Sequence, residues 1–228
     1  MMADDIQKGS SMKVLAIGGS PRGLKSQTNR LTEALLAAAK EKGAETDFID
    51  LGQAKLKFCG ACEACHRGPK CVLDDDGNGI MDRMLEADGI VLATPVYLDQ
   101  VTAQMKTLLD RTSHFVHCLR LTGKYLAVVT TSGGGGGEAT AAFLKRYAVT
   151  VGAQIAGSVD ARVPLGAANL AAARELGTSL VTAIAEKKTW PDQGKAIDEQ
   201  LQRFGQIIAF QKDHWPFEYK YWQDKGWL

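Results

Sequence analysis

The sequence predicts an α/β protein in which helices cover both faces of a parallel β-sheet, and three observations support this. Short apolar runs of strand length recur along the chain, among them "MKVLAIGGS" and "GIVLATPVY". Between them lie longer segments whose apolar residues recur with the 3.6-residue period of a helix. Several runs end in glycine, proline or hydroxyl residues, as buried strands do where they enter a turn. Strands that alternate with helices in this way indicate βαβ units.

The elements alternate from Met12 onward. Five strands are predicted at 12–20, 45–51, 89–97, 124–132 and 153–161. Helices are predicted at 28–43, 79–88, 101–116 and 167–188, and a further one after the glycine run at 133–137. Ligands of such sheets bind beyond the carboxyl ends of the strands, where the strand order reverses. The loops after the first, third and fourth strands are therefore the candidate binding loops.

Composition excludes several classes of partner. Lys plus Arg number 27 against 26 for Asp plus Glu in the 228 residues, so no electrostatic feature favours nucleic acid or an anionic membrane. The first residues lack the basic start and apolar run of a secretory signal, and the apolar stretches are too short to span a bilayer. We expect a small-molecule substrate and a cytoplasmic location.

The chain is predicted to hold one α/β domain at 12–189, between a flexible tail at 1–11 and a C-terminal extension at 190–228. All four tryptophans lie in the extension. Its first half is predicted to be a helix. Its last fifteen residues are aromatic and predicted to be irregular, and we expect them to pack on a neighbouring subunit, or alternatively on the chain's own surface.

The loop after the first strand is typical of an anion site. It offers hydroxyl, amide and guanidinium groups just before a helix N-terminus, from Ser20, Arg22, Ser26, Gln27 and Thr28. A Walker loop is excluded, because Leu24 separates Gly23 from Lys25. A terminal monophosphate is the predicted ligand. The alternative is a simple helix cap by Ser26 or Thr28, and the neighbouring Arg22 favours the anion.

Four of the five cysteines lie in one loop, predicted at 58–74. Cys59, Cys62, Cys65 and Cys71 follow the spacing C-x2-C-x2-C-x5-C. Thiols stay reduced in the cytoplasm, so this pattern indicates a metal or catalytic site before it indicates disulfides. Structural zinc sites usually separate two cysteine pairs by a longer loop, whereas a compact C-x2-C-x2-C run favours a [4Fe–4S] cluster. Zinc and free thiols stay open as alternatives.

Other polar residues support weaker predictions. His66, inside the cysteine loop, could tune or ligate a metal, but it is expected to face solvent. His114 and His117 are three residues apart on a predicted helix, which alone is weak support for a site. The acidic run at 74–76 is expected to cap the N-terminus of the following helix. Cys118 lies outside the cysteine motif and is expected to be a buried small hydrophobic residue.

Two long motifs resemble one family. "GGSPRGLKSQTNRL" is similar to the FMN-phosphate loop of the NADPH-dependent FMN reductase superfamily, and "ADGIVLATPVYLDQVTAQMKTLLDR" resembles its second flavin loop. The similarity runs from about residue 12 to about residue 188. The cysteine spacing resembles the iron–sulfur flavoprotein branch, whose members carry both FMN and a [4Fe–4S] cluster. The resemblance implies a flavodoxin-like three-layer sandwich with a five-stranded parallel sheet.

The resemblance also implies which residues contact the cofactors. The phosphate of FMN would be held by Ser20, Arg22, Ser26, Gln27 and Thr28. The isoalloxazine would lie against Pro95, Val96 and Tyr97, near the backbone of Leu98 and Asp99, with Thr131, Ser132, Gly133 and Gly134 on its other side. The cluster ligands would be Cys59, Cys62, Cys65 and Cys71. The chemistry would take place at N5 of FMN, so no catalytic side chain is implied.

The predicted function is that of an FMN-dependent oxidoreductase. As an iron–sulfur flavoprotein it would move electrons between FMN, a [4Fe–4S] cluster and a small redox carrier. One alternative is a cluster-free NAD(P)H-dependent reductase of FMN, quinones or a similar small-molecule acceptor. A second alternative is a non-enzymatic flavin- or zinc-binding module. The resemblance further implies a homodimer or homotetramer with the flavin near a subunit interface.

Overall fold

The computed structural model describes residues 11–228, so all but the last residue of the predicted tail at 1–11 lies outside the described residues. The strands are β1 (Lys13–Gly18), β2 (Glu45–Asp50), β3 (Gly89–Pro95), β4 (Tyr125–Ser132) and β5 (Gln154–Arg162). The helices are α1 (Gln27–Glu41), α2 (Ala64–Arg67), α3 (Gly77–Glu86), α4 (Ala103–Asp110), α5 (Ser113–His117), α6 (Gly137–Thr150), α7 (Ala167–Ala185), α8 (Pro191–Phe210) and α9 (Pro216–Asp224). A short 3₁₀ turn, Gly23–Lys25, precedes α1.

The five strands form one parallel sheet in the order β2-β1-β3-β4-β5. This is the flavodoxin-like order, and the switch point lies between β1 and β3. The register brings Gly18 beside Ala93 and Pro95 beside Thr131, so the three predicted binding loops leave the sheet at one edge. The predicted fold class is confirmed.

Two apolar cores lie on opposite faces of the sheet. On one face α1 and α7 pack against β1, β3 and β4. On the other face α3, α4 and α6 cover the sheet. The close approach of α1 and α7 requires glycine at one position, because a Cβ on Gly177 would collide with the carbonyl oxygen of Leu35. The sandwich therefore has the three layers that the sequence predicts.

The single helix predicted at 101–116 is wrong, since the structure has two helices there. α4 begins after Thr102, whose hydroxyl accepts a hydrogen bond from the Met105 amide at 3.3 Å. It ends at Asp110, and the hydroxyl of Thr112 donates to the Leu109 carbonyl at 2.7 Å. Such local side-chain bonds compete with the helical pattern. The break turns Arg111 toward the cysteine loop.

The C-terminal extension packs on its own chain. The prediction of an irregular aromatic end is wrong, because Pro216 starts a nine-residue helix, α9. Trp222 is 1% exposed and packs in a third apolar cluster with Cys118, Leu119, Phe204 and Ile208. Its Nε1 donates to the His117 carbonyl at 3.0 Å. The buried face of α9 is thus used within the chain, and Cys118 is buried as expected.

Within residues 11–228, no helix is both long enough and apolar enough to cross a membrane.

Candidate functional site

A crevice of about 210 Å³ opens at the carboxyl ends of β1, β3 and β4. Eleven of the fourteen residues predicted to contact FMN line it together with Val163: Ser20, Arg22, Ser26, Gln27, Thr28, Pro95, Val96, Tyr97, Thr131, Ser132 and Gly133. Leu98, Asp99 and Gly134 follow in the same loops without lining the crevice. The three loops that the sequence singled out therefore form one concave surface.

The first loop presents the N-terminus of α1 to the crevice. Ser26 caps this helix, because its Oγ accepts a hydrogen bond from the Asn29 amide at 3.1 Å. Ser26 also lines the crevice, so the helix-capping role does not exclude it from the candidate site. The hydroxyls of Thr28 and Thr131 lie 2.6 Å apart and join the first loop to the third. The partial positive charge of the helix end suits an anion such as a phosphate group.

The other end of the crevice has unused hydrogen-bonding capacity. Ser132 is 4% exposed, and among the described residues its hydroxyl has no hydrogen-bond partner. A buried polar group without a partner is rare in native proteins and fits a site that a ligand completes. A Cβ on Gly133 or Gly134 would meet no described atom within 4 Å, so the space beside them is open. The crevice therefore fits a polar ligand such as FMN.

The loop after β3 holds a strained turn beside the crevice. Leu98 and Asp99 have φ of 49° and 59°, values that non-glycine residues seldom adopt. Hydrogen bonds between the backbones of Tyr97 and Gln100, at 2.9 and 3.1 Å, close the turn. The side chain of Leu98 is left fully exposed. Such a turn presents backbone groups at the rim, where the sequence predicts that they contact the flavin edge.

The four cysteines of the loop surround a second cavity, of about 490 Å³. Cys59, Cys62, Cys65 and Cys71 all line it, and none of them forms a disulfide in the structure. Burial raises the pKa of the Cys65 thiol to about 11. Left-handed residues at Ala61 and Glu63 fold the loop so that its thiols share this cavity. All four cysteines of the motif thus line one cavity.

A buried ion pair forms one wall of the cysteine cavity. Arg111 Nη1 and Nη2 donate to the two carboxylate oxygens of Asp75 at 2.7 and 3.1 Å, and Nη1 also donates to the Lys57 carbonyl at 3.0 Å. Asp75 accepts from the amides of Lys57 and Gly77 at 2.8 and 2.9 Å. The residue at the N-cap position of α3 is Asp76, whose side chain does not cap the helix but accepts from the Lys55 amide at 2.7 Å. Of the acidic run at 74–76, only Asp75 accepts from an amide of the first turn, that of Gly77. The hydrogen bond from Arg111 lowers the pKa of Asp75 to about 2.

This depressed pKa predicts a specific loss of stability in acid. The unfolded carboxyl titrates near pH ~4, so its contribution is complete above that pH and disappears as the pH falls toward 2. We expect Asp75→Asn to lower the free energy of unfolding by about 2 kcal/mol at pH 7, with the difference vanishing near pH 2. Urea denaturation at several pH values would measure it, with Asp74→Asn as the exposed control. A difference that does not depend on pH would contradict the assigned ion pair.

A buried carboxylate, Glu218, bonds to two histidines that line the same cavity, His66 and His117. Glu218 of α9 is 0% exposed, and its two oxygens accept from Nδ1 of His66 at 2.7 Å and Nδ1 of His117 at 3.0 Å. The two rings stack with centroids 4.6 Å apart, and Trp215 lies 4.8–4.9 Å from both. Burial raises the pKa of Glu218 and the two histidine donors lower it, with a net downward shift. The cluster joins α2, α5 and α9.

This cluster corrects one prediction and adds residues that the sequence did not reveal. His66 is 6% exposed, so the expectation that it faces solvent is wrong: the distant Glu218 draws it into the interior. His117 lines the cysteine cavity, while His114 is buried against Phe115. The ligand atoms of His66, His117 and Glu218 lie within 4.8 Å of one another, a spacing that a metal ion could bridge. Their mutual hydrogen bonds already satisfy the buried carboxylate.

The fold and the crevice define a flavodoxin-like protein of the flavin-binding type. A sequence model described as NADPH-dependent FMN reductase matches residues 12–166, and the chain belongs to this family. It is accordingly an FMN-dependent oxidoreductase. The predicted family membership is confirmed.

Individual relatives agree with this assignment. An iron-sulfur flavoprotein of Archaeoglobus fulgidus is 30% identical over 227 residues, covering 95% of this chain and 100% of the relative. One from Methanocaldococcus jannaschii is 46% identical over 101 residues, covering 44% of this chain and 52%, about half, of the relative. The solved structure of a flavodoxin, WrbA-like protein from Agrobacterium tumefaciens has a TM-score of 0.57 at 19% identity, covering 78% of this chain and 100% of that chain. That likeness supports the fold alone.

Proposed function

We propose that this chain is an iron–sulfur flavoprotein that moves electrons between FMN, a [4Fe–4S] cluster and a small redox carrier. The observation that supports the cluster is that one cavity is lined by all four cysteines of the motif, Cys59, Cys62, Cys65 and Cys71. The family supplies the flavin, and relatives of this chain carry the name iron-sulfur flavoprotein.

The size of the cysteine cavity favours a cluster over a single zinc ion. A structural zinc ion binds four thiolates at about 2.3 Å, which draws the sulfur atoms tightly around one centre. The cavity of about 490 Å³ leaves room for a larger group. Four cysteines are also the usual ligand set of a [4Fe–4S] cluster. We therefore assign these four thiolates as the cluster ligands.

The residues of the crevice would position the flavin. The N-terminus of α1 and the guanidinium of Arg22 would neutralise the phosphate, and the segments ending in Tyr97 and Gly133 would hold the ring. When bound, FMN exchanges a hydride or two electrons and the cluster exchanges one electron at a time. The chain contributes binding, orientation and electrostatics, and we assign no side chain as acid or base.

The surface around the two sites supports a homodimer or homotetramer. Leu98 beside the crevice is 100% exposed, and Phe58 and Val72 in the cysteine loop are 78% and 66% exposed. Large apolar side chains at such positions favour coverage by another protein surface, and we propose a second copy of this chain. A reducing compartment such as the cytoplasm suits the four free thiols.

Anaerobic purification with visible spectroscopy and iron and acid-labile sulfide assays tests the proposal. We expect one FMN and about four iron and four sulfide per chain. Flavin without iron, bleached by NAD(P)H and reoxidised by a quinone, would support the cluster-free reductase, which the family description favours as second candidate. Protein that retains no FMN at saturating concentration would leave only a non-enzymatic module.

Arg22→Ala tests the flavin end of the proposal. Removing a charge-assisted hydrogen bond to phosphate costs about 1.5–3 kcal/mol, so we expect the Kd for FMN to rise roughly 10- to 100-fold. Arg30→Ala is the matched control, because Arg30 is exposed in the first turn of α1 without lining the crevice. Fluorescence titration of the apoprotein measures both. Equal affinities in the two variants would exclude Arg22 from the phosphate site.

A further inference from the structure

Arg111 is buried, lines the cysteine cavity and forms the ion pair with Asp75. The residue is 2% exposed, follows the last residue of α4 and lines the cavity together with all four loop cysteines. A buried guanidinium needs acceptors for its donors, because desolvating it without partners is costly. A donor of Arg111 that has no acceptor in the protein therefore indicates that a ligand of the cavity supplies one.

The hydrogen bonds of Arg111 use one edge of the guanidinium and leave another free. Asp75 occupies the fork between Nη1 and Nη2, and the Lys57 carbonyl takes the second hydrogen of Nη1. Among the described residues, Nε has no hydrogen-bond partner. The guanidinium is planar and rigid, so Nε–H and the outer hydrogen of Nη2 form one edge with a fixed direction.

The acceptors that line the cavity together with Arg111 are the sulfur atoms of the four cysteines. Among these cysteines, Cys71 is the nearest in the chain to Asp75, the ion-pair partner of Arg111. The backbone of Cys71 is itself fixed, because its amide donates to Asn78 Oδ1 at 3.1 Å and its carbonyl accepts from Asn78 Nδ2 at 2.8 Å. Among the described residues, a buried donor without a partner and a thiol with a fixed backbone thus line the same cavity.

We propose that Arg111 donates its Nε–H to the sulfur of Cys71 and thereby raises the reduction potential of the cluster that Cys71 ligates. The inference rests on the proposed function. Reduction adds one negative charge to the cluster and its thiolates, so a donor to sulfur stabilises the reduced state more than the oxidised state. Asp75 compensates the charge of Arg111, and the directed donor rather than net charge produces the effect.

Arg111→Lys in the full-length, cluster-containing protein tests this. Lysine keeps the charge and can pair with Asp75 but has no second edge to present. At a fixed solution potential we expect the ratio of reduced to oxidised cluster to fall about tenfold, which is ~59 mV for a one-electron couple. Redox titration followed by visible and electron paramagnetic resonance spectroscopy measures the cluster and the flavin separately, and the flavin potential should not change.

Arg83→Lys is the matched control. Arg83 also pairs with an aspartate, Asp47, but it does not line the cysteine cavity, so its replacement should leave the cluster potential unchanged. If Arg111→Lys fails to fold or to retain the cluster, the double variant Arg111→Gln with Asp75→Asn removes both charges together and should show the same fall in potential.

The outcomes separate this inference from the proposed function. Cluster present and potential unchanged in the Arg111 variants overturns the inference and leaves the proposed function intact. An equal shift of the flavin couple, or of the Arg83 control, also overturns it, because the effect would not be local. Wild-type protein without iron and sulfide overturns both.

Discussion

Cys62→Ser is expected to remove the iron–sulfur cluster while the flavin stays bound. Cys62 lines the cysteine cavity and has no place in the flavin crevice. Serine is a poor ligand for iron compared with a thiolate. The substitution therefore leaves only three of the four thiolates that would bind the cluster. Iron and sulfide should fall to a small fraction of the wild-type content, the broad absorption near ~400 nm should disappear, and the yellow flavin bands should persist.

Cys118→Ala is the matched control for this variant. Cys118 is the one cysteine outside the motif and is buried against Phe204 and Trp222, away from the cavity lining. Its cluster content should equal that of the wild type. Joint loss of flavin and iron in Cys62→Ser would show that the two sites are not independent. Full iron content would show that Cys62 is not a ligand.

Glu218→Ala is expected to lower the free energy of unfolding by about 3–5 kcal/mol. The side chain is fully buried, and its removal leaves the Nδ1 donors of His66 and His117 without acceptors next to a new cavity. Glu218→Gln should cost less, about 1–2 kcal/mol, because the amide oxygen still accepts one of the two hydrogen bonds. Urea denaturation measures both values.

A second measurement links Glu218 to the cysteine site. Release of His66 should loosen α2, so Cys65 should react faster with an alkylating reagent in cluster-free Glu218→Ala protein under native conditions. Glu199→Ala on the exposed face of α8 is the control and should change neither the stability nor the reactivity by a measurable amount. Stability within about 0.5 kcal/mol of the wild type would contradict the hydrogen-bonded cluster.

The features that could be predicted from the sequence are local in the chain. β1, β3 and β4 are marked by continuous apolar runs, because both faces of these strands are buried. Most crevice residues fall in short segments at the carboxyl ends of strands or directly after them, such as 95–97 at the end of β3, and the topology brings these segments together. The cysteine spacing is also local. The cavity that the four cysteines line is not local, because Arg111, His117 and Trp215 also line it.

The features that the sequence did not reveal depend on contacts between distant residues. His66 is buried because it hydrogen-bonds to Glu218. Glu218 lies 152 positions away in the chain, and no local pattern indicates that the two residues meet. The ion pair between Arg111 and Asp75 likewise joins residues that are 36 positions apart, and no local pattern predicts it. α9 was not predicted because its aromatic residues have a weak preference for helices. The burial of these residues in the third apolar cluster overrides that preference.

The position of α9 has a consequence for biosynthesis. Trp215 lines the cysteine cavity and Glu218 holds His66 in place, yet both emerge from the ribosome long after the cysteine loop. Folding during translation proceeds from the N-terminal side. The thiols of the cysteine loop are therefore not covered by Trp215 and α9 while the C-terminal helices are still being synthesised. Scaffold proteins that deliver iron and sulfide would reach them most freely in that interval, and so would oxidants.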